Sequence, residues 1–147
     1  ELFLTNNISF KAISLDENGI IIEDLKKYDI NIAYVTPSHQ FPTGAIMSIS
    51  RRTELLNWAN ENTERYIVED DYDSEFKYTG RPIPALKAND INDKVIYLGS
   101  FSKSISPAIR VSYLVLPKAL LNIYQRELPY FICPVPTLNQ KILYRVK

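Results

Sequence analysis

The chain is poor in the residues that most readily announce a function. In 147 residues it has one cysteine, Cys133, and one histidine, His39. A single thiol excludes an internal disulfide framework and fits a reducing, cytoplasmic setting. A lone histidine is more often a loop hydrogen-bonder than a catalyst. No stretch approaches about 18 consecutive apolar residues, the length a membrane helix needs. The N-terminus lacks the basic-then-apolar layout of a signal peptide. Net charge is missing too: 17 basic and 17 acidic side chains cancel, which removes any global electrostatic ground for a nucleic-acid or membrane surface within these residues. Internal repeats, low-complexity tracts and linker-like segments are absent. What remains is a chain that reads as soluble and cytoplasmic.

What is present is a hydrophobic period that switches repeatedly between two and 3.6, the pattern of alternating strands and helices. Strands are expected at 8–13 (ISFKAI), 31–35 (NIAYV), 66–69 (YIVE), 94–98 (KVIYL) and 111–116 (VSYLVL). Helices are expected at 20–28, 48–61, 84–88, 117–127 and 137–147. In the helix over 48–61, Ile49, Leu55, Leu56 and Ala59 form one broad face, with Arg51, Arg52, Glu54 and Asn57 mostly off it. Strand, helix, strand in this rhythm predicts parallel pairing, because parallel neighbours need a long crossover. The last two strands are joined by only 99–110, which holds SISP rather than a helical pattern, so that pair is expected to be antiparallel. The fold class is therefore α/β, a three-layer α/β/α arrangement with a mostly parallel sheet and one reversed strand. Both ends read as cut, with an abrupt strand pattern at the start and a helix lacking a C-cap glycine at the end, so a fragment of a larger domain is expected.

Three polar clusters each follow a strand: TPSHQFPTG at 36–44, EDDYDSEF at 69–76 and GSFSKSISPAIR at 99–110. In open α/β sheets, ligands bind outside the carboxyl ends of the strands, so the clusters are expected to converge on one crevice. Each has a plain reading. Lys103 among serines is by default a surface lysine, and Tyr72 a half-buried aromatic. Glu69, Asp70 and Asp71 are by default solvated, or with Asp73 could hold Mg²⁺. The spacing lacks alternating metal ligands, and no second carboxylate cluster completes an octahedral set, so no metal is expected. The three clusters become coherent together if the ligand is pyridoxal 5′-phosphate. That cofactor needs a lysine amine for its aldehyde, an acid opposite the ring nitrogen, a donor to the phenolic oxygen, and hydroxyls with a cation for phosphate.

The segments YVTPSHQFPTG, YIVEDDYDSEF, GRPIPAL and GSFSKSISPAIRVSYLVLP resemble the fold-type-I aminotransferase-like domain of the MocR-type transcription regulators, the GntR-superfamily branch fused to an aminotransferase-like module. The likeness runs from about Leu15 to the end. It implies that residues 1–147 are part of the cofactor-binding large domain, without the winged-helix DNA-binding domain or the C-terminal small domain. By resemblance, Lys103 is the residue that forms the internal aldimine, Asp70 pairs with the pyridine nitrogen and Tyr72 donates to the phenolic oxygen. Ser100, Ser102 and Arg110 match the phosphate side. Ordinary aminotransferases commonly carry Asn-Pro-x-Gly where this chain has Phe41-Pro42-Thr43-Gly44, and the phenylalanine is typical of the regulator branch.

The resemblance thus implies a module that senses an amine or amino-acid effector by exchanging it for Lys103. DNA would be bound only through a winged-helix domain outside these residues, in a homodimeric full-length protein. Two alternatives stay open: a genuine aminotransferase, and a degenerate dimerisation module with a vestigial site. The fragment by itself is expected to be catalytically inactive.

Overall fold

A computed structural model describes residues 2–40, 43–72, 83–130 and 132–145. Phe41, Asp73 and the first three residues of GRPIPAL lie outside the described residues.

Helix α1 (Leu2–Thr5) opens the chain, followed by a two-residue-per-arm hairpin of β1 (Leu15–Asp16) and β2 (Gly19–Ile20) and the short α2 (Ile22–Leu25). Then come β3 (Ile32–Val35), α3 (Ile49–Asn60), β4 (Tyr66–Asp71) and β5 (Val95–Ser100). The remainder is α4 (Phe101–Ser104), β6 (Ser112–Val115), α5 (Lys118–Glu127) and α6 (Thr137–Arg145). Single 3-10 turns occupy Lys87–Asn89 and Pro107–Ile109.

The main sheet runs β3-β4-β5-β6. Its first two pairings are parallel and the last is antiparallel, as the short connection over 99–110 requires. Register aligns Tyr34 with Val68, Asp71 with Gly99, and Ser100 with Ser112. Side chains alternate across a pleated strand, and β4 alternates half-buried and buried from Tyr66 to Asp71. Ile67, Glu69 and Asp71 thus face the core, while Val68 and Asp70 face the other way. Ala33, Val35, Ile67 and Val95 from the sheet close against Leu55, Trp58 and Ala59 of α3 and Leu25 of α2. Trp58 and Leu55 are fully buried, each contributing about 1.5–3 kcal/mol of transfer free energy, before the entropy cost of ordering them. Helix α3 begins where Ser48 Oγ accepts the N–H of Arg51 at 3.3 Å, which satisfies one of the free donors of its first turn.

Four expectations need correction. Residues 8–13 form no strand: Ile8 and Phe10 are exposed, and alternation without a neighbouring strand leaves the backbone without ladder partners. The helix expected at 20–28 is one turn, because Gly19 and Ile20 pair with β1 instead. The helix expected at 84–88 is a 3-10 turn. The connection over 99–110 does hold helical turns, since Ser100 and Ser106 each accept a following backbone N–H and so start α4 and the Pro107–Ile109 turn.

On α3, Ile49 is exposed whereas Arg52, expected off the apolar face, is only 3% exposed. Arg52 is fully employed there. Its guanidinium donates to the carbonyls of Met47 (3.0 Å), Pro84 (3.0 Å) and Pro37 (2.9 Å). It also stands 3.8 Å from the carboxylate of Glu69.

Candidate cofactor site at the carboxyl end of the sheet

The strands β3, β4 and β5 run in the same direction, so the segments after Val35, Asp71 and Ser100 leave from one end of the sheet. That is where the described parts of the three polar clusters meet. The segment after β3 is fastened from below by Arg52, which holds Pro37 and Met47 through their carbonyls. Glu69 fastens the segment before β5, accepting the N–H of Leu86 at 2.8 Å and of Lys87 at 2.9 Å. Burial works against the charge on both members of this pair. It pushes the Glu69 carboxyl up, against the pull of the Lys87 and Leu86 N–H groups and of Arg52, and it lowers Arg52 despite the nearby carboxylates of Glu69 and Asp71.

Upon this base the expected site residues are placed as follows. Asp70 lies on the β4 face opposite Glu69, and the hydroxyl of Tyr34, from β3, donates to its Oδ2. Burial, and next the hydrogen bond to that carboxylate, hold the Tyr34 phenol well above its ordinary value. Tyr72 follows β4 directly, and its hydroxyl donates to the carbonyl of His39 at 2.7 Å. The rings of His39 and Tyr72 lie 6.1 Å apart. Lys103, in α4, carries its Nζ 5.2 Å from the centre of the Tyr72 ring, a cation–π distance. So β4 and α4 bring Tyr72 and Lys103 together, two residues beyond Asp70.

The serines and the arginine sit on the Lys103 loop. Ser100 ends β5, and its Oγ accepts the N–H of Ser102 at 3.2 Å. The loop is closed at its base by the Phe101 N–H donating to the Val111 carbonyl at 3.0 Å. Ser100 and Arg110 therefore stand beside the same rung, at opposite ends of the loop. Arg110 is exposed and has φ +49°, ψ +41°, the left-handed region that costs a residue with a Cβ about 1–2 kcal/mol.

On the core face at the same end, Tyr97 donates to Asp71 Oδ2 at 2.7 Å. Burial and that carboxylate raise the Tyr97 phenol far above its ordinary range. The Tyr113 ring lies over Gly99, where a Cβ would come within 2.2 Å of it. Phe101 also packs against Tyr113, with ring centres 5.0 Å apart. Glycine at 99 is thus required by a close approach of an aromatic ring.

The donor set suits pyridoxal 5′-phosphate in its chemistry. It offers a primary amine, a carboxylate, a phenol, hydroxyls and a guanidinium, all on segments leaving one end of the sheet. Among the described residues no group of three or more His, Cys, Asp or Glu is arranged to hold a metal ion, and no helix is long and apolar enough to cross a membrane. Sequence reasoning missed Tyr34, Arg52 and Tyr97. Arg52 had a signal: with Leu55, Leu56 and Ala59 it falls at i, i+3, i+4 and i+7, so it occupies the middle of the apolar face rather than its margin.

No family model matches the chain. Curated relatives do. The chain is 50% identical over 122 residues to the HTH-type transcriptional regulator YdeL of Bacillus subtilis, covering 83% of this chain and 26% of the relative. It is 42% identical over 105 residues to the pyridoxine biosynthesis regulator PdxR of Corynebacterium glutamicum (71% and 22%). It is 37% identical over 114 residues to the probable rhizopine catabolism regulatory protein MocR of Rhizobium meliloti (78% and 23%). The chain thus spans about a quarter of the length of these relatives.

Among solved structures, the multiple substrate aminotransferase of Thermococcus profundus superposes with a TM-score of 0.81 at 32% identity, over 93% of this chain and 36% of that one. The kynurenine aminotransferase of Pyrococcus horikoshii, solved in complex with PMP, gives 0.70 at 32% identity over 78% and 30%. With regulators as its sequence relatives and aminotransferases of fold type I as its structural ones, the chain belongs to the MocR-type family of the GntR superfamily, within its aminotransferase-like part.

Proposed function

We propose that this chain is part of the cofactor-binding large domain of a regulator, holding pyridoxal 5′-phosphate at Lys103 and sensing an amine or amino-acid effector. The observation that carries the reading is the meeting of Lys103 with Tyr72 at 5.2 Å, two residues beyond Asp70 at the carboxyl end of the sheet. When bound, the cofactor supplies an aldehyde that captures primary amines and a ring that withdraws electrons when its nitrogen is protonated.

Each residue then has a task within the chemistry of its own side chain. Lys103 would hold the cofactor through its primary amine, at the position an effector amine would compete for. Asp70 is the acceptor for the ring nitrogen's proton, and an ionised carboxylate favours the charged ring. Tyr72 donates to the phenolic oxygen, which requires its hydroxyl to leave the His39 carbonyl. Ser100, Ser102 and Arg110 supply hydroxyls and a guanidinium to the phosphate. DNA contact belongs to a helix-turn-helix region outside these residues, in a homodimer, and the effector acts through different affinities for two conformations.

The test uses the protein at its full encoded length, loaded with pyridoxal phosphate. The yellow absorbance of a lysine-bound cofactor is expected in the parent and lost in Lys103→Ala. Absorbance that survives the substitution overturns the assignment. The aminotransferase alternative is favoured by the 32% identity to the Thermococcus enzyme. It predicts steady conversion of an amino acid to a keto acid, whereas a sensor changes DNA affinity on binding the effector without sustained turnover.

A further inference from the structure

Asp70 is held by a residue that nothing above assigns to the site. Tyr34 sits on β3 in register with Val68, on the sheet face away from the core. Its hydroxyl reaches diagonally along that face to Asp70 Oδ2. The Phe3 ring packs edge-on against the Tyr34 ring, with centres 6.5 Å apart at 77°, which restricts where the phenol can swing. We propose that Tyr34 is a positioning residue for Asp70, fixing the carboxylate's orientation toward the ring nitrogen of a bound pyridoxal-type cofactor. This rests on the reading of Asp70 given above.

The physical argument concerns where one proton resides. A pyridinium and a carboxylate share a proton that can lie on nitrogen or on oxygen. A phenol donating to the carboxylate stabilises the negative oxygen, as hydrogen bonds to the charged form do, and so leaves the proton on nitrogen. Because a carboxylate has two oxygens and Tyr34 engages one, the other is left for the ring. Without the phenol, the carboxylate turns more freely and faces the ring nitrogen less of the time, which reduces the N–H⁺ character of the ring. The phenol itself stays protonated through this, since burial and the adjacent carboxylate raise it above its ordinary range.

The experiment loads the full-length protein with ¹⁵N-labelled pyridoxal phosphate and reads the ring-nitrogen chemical shift at one fixed pH. Four proteins are compared: the parent, Tyr34→Phe, Asp70→Ala, and Ile32→Ala. Ile32 is exposed on the same face two residues earlier, so its variant reports general loosening. The Tyr34→Phe resonance is expected between those of the parent and Asp70→Ala, on the side of the unprotonated ring, with Ile32→Ala like the parent. Cofactor release should be about tenfold faster in Tyr34→Phe, the loss that one hydrogen bond to a charged acceptor brings.

A Tyr34→Phe shift equal to the parent's, with Asp70→Ala displaced, overturns the role of Tyr34 alone. Equal displacement in Tyr34→Phe and Ile32→Ala also overturns it, in favour of a packing effect. If Asp70→Ala itself matches the parent, the pairing of Asp70 with the ring nitrogen fails, and the role of Tyr34 with it.

Discussion

Glu69 and Asp70 are consecutive carboxylates in one strand, and their surroundings have almost nothing in common. Glu69 faces the core, is fully buried, and spends its oxygens on two backbone N–H groups with Arg52 behind them. Asp70, turned to the other face by the pleat, is half-buried and takes a phenolic hydroxyl. One acid ties together segments that are distant in sequence, and the other is left facing the end of the sheet where ligands bind. A single step along a strand therefore separates a fastening role from the chemical one proposed for Asp70.

The comparison can be broken most forcefully at Arg52. Arg52→Met strands three backbone carbonyls and leaves Glu69 buried without its cation, so a loss of about 3–5 kcal/mol is expected in denaturant unfolding. A loss below about 1 kcal/mol would show that the core-face pair fastens nothing. Next comes Gly99→Ala, on the same face: the added Cβ must displace the Tyr113 ring, at about 1–3 kcal/mol for overpacking. Adding Tyr113→Ala should recover part of that loss, and a double variant no better than the single one would place the strain elsewhere. Asp70→Ala should change stability by less than about 1 kcal/mol while weakening cofactor retention. A large destabilisation there would erase the contrast with Glu69.

The smallest effect sharpens the contrast from outside both faces. Asp93 accepts the Lys118 N–H at 2.5 Å and Lys87 Nζ at 3.0 Å, and these partners, the Lys118 N–H first, hold its carboxyl below the usual carboxylate range. Its contribution is therefore complete above that range and disappears as pH falls through the lowered folded value. In melting curves the gap between the parent and Asp93→Asn should be small at neutral pH and close on acidification. A gap that ignores pH would refute an electrostatic origin.

The parts of this fold that declare themselves in local sequence are those whose neighbours are local. The crossover helix expected at 48–61 is found at Ile49–Asn60, and the brevity of 99–110 correctly implies a reversed final strand. The segment at 8–13 misleads because alternation records a capacity to pair, while pairing needs a partner strand that the described residues do not supply. Arg52 misleads because its partners are carbonyls as far as 32 residues away and an acid on another element. Tyr34 escapes notice for the same reason, as its contact lies 36 residues on and an aromatic in a strand reads as packing. Lys103, Asp70 and Tyr72 stand out as a candidate group only when the needs of one cofactor and the family resemblance are set beside them. Each has an ordinary surface or packing reading when taken alone.

The closure of the Lys103 loop by Phe101 and Val111 carries a consequence for variation along the chain. A loop pinned at both ends tolerates inserted residues at little thermodynamic cost, since doubling its length adds only about 0.6 kcal/mol of closure entropy. The reach of the amine, by contrast, depends on every residue between the pins. Under the role proposed for Lys103, insertions between 104 and 110 should cost folding little while moving its amine away from Tyr72. On that reading, length in this loop is a functional parameter that stability does not police.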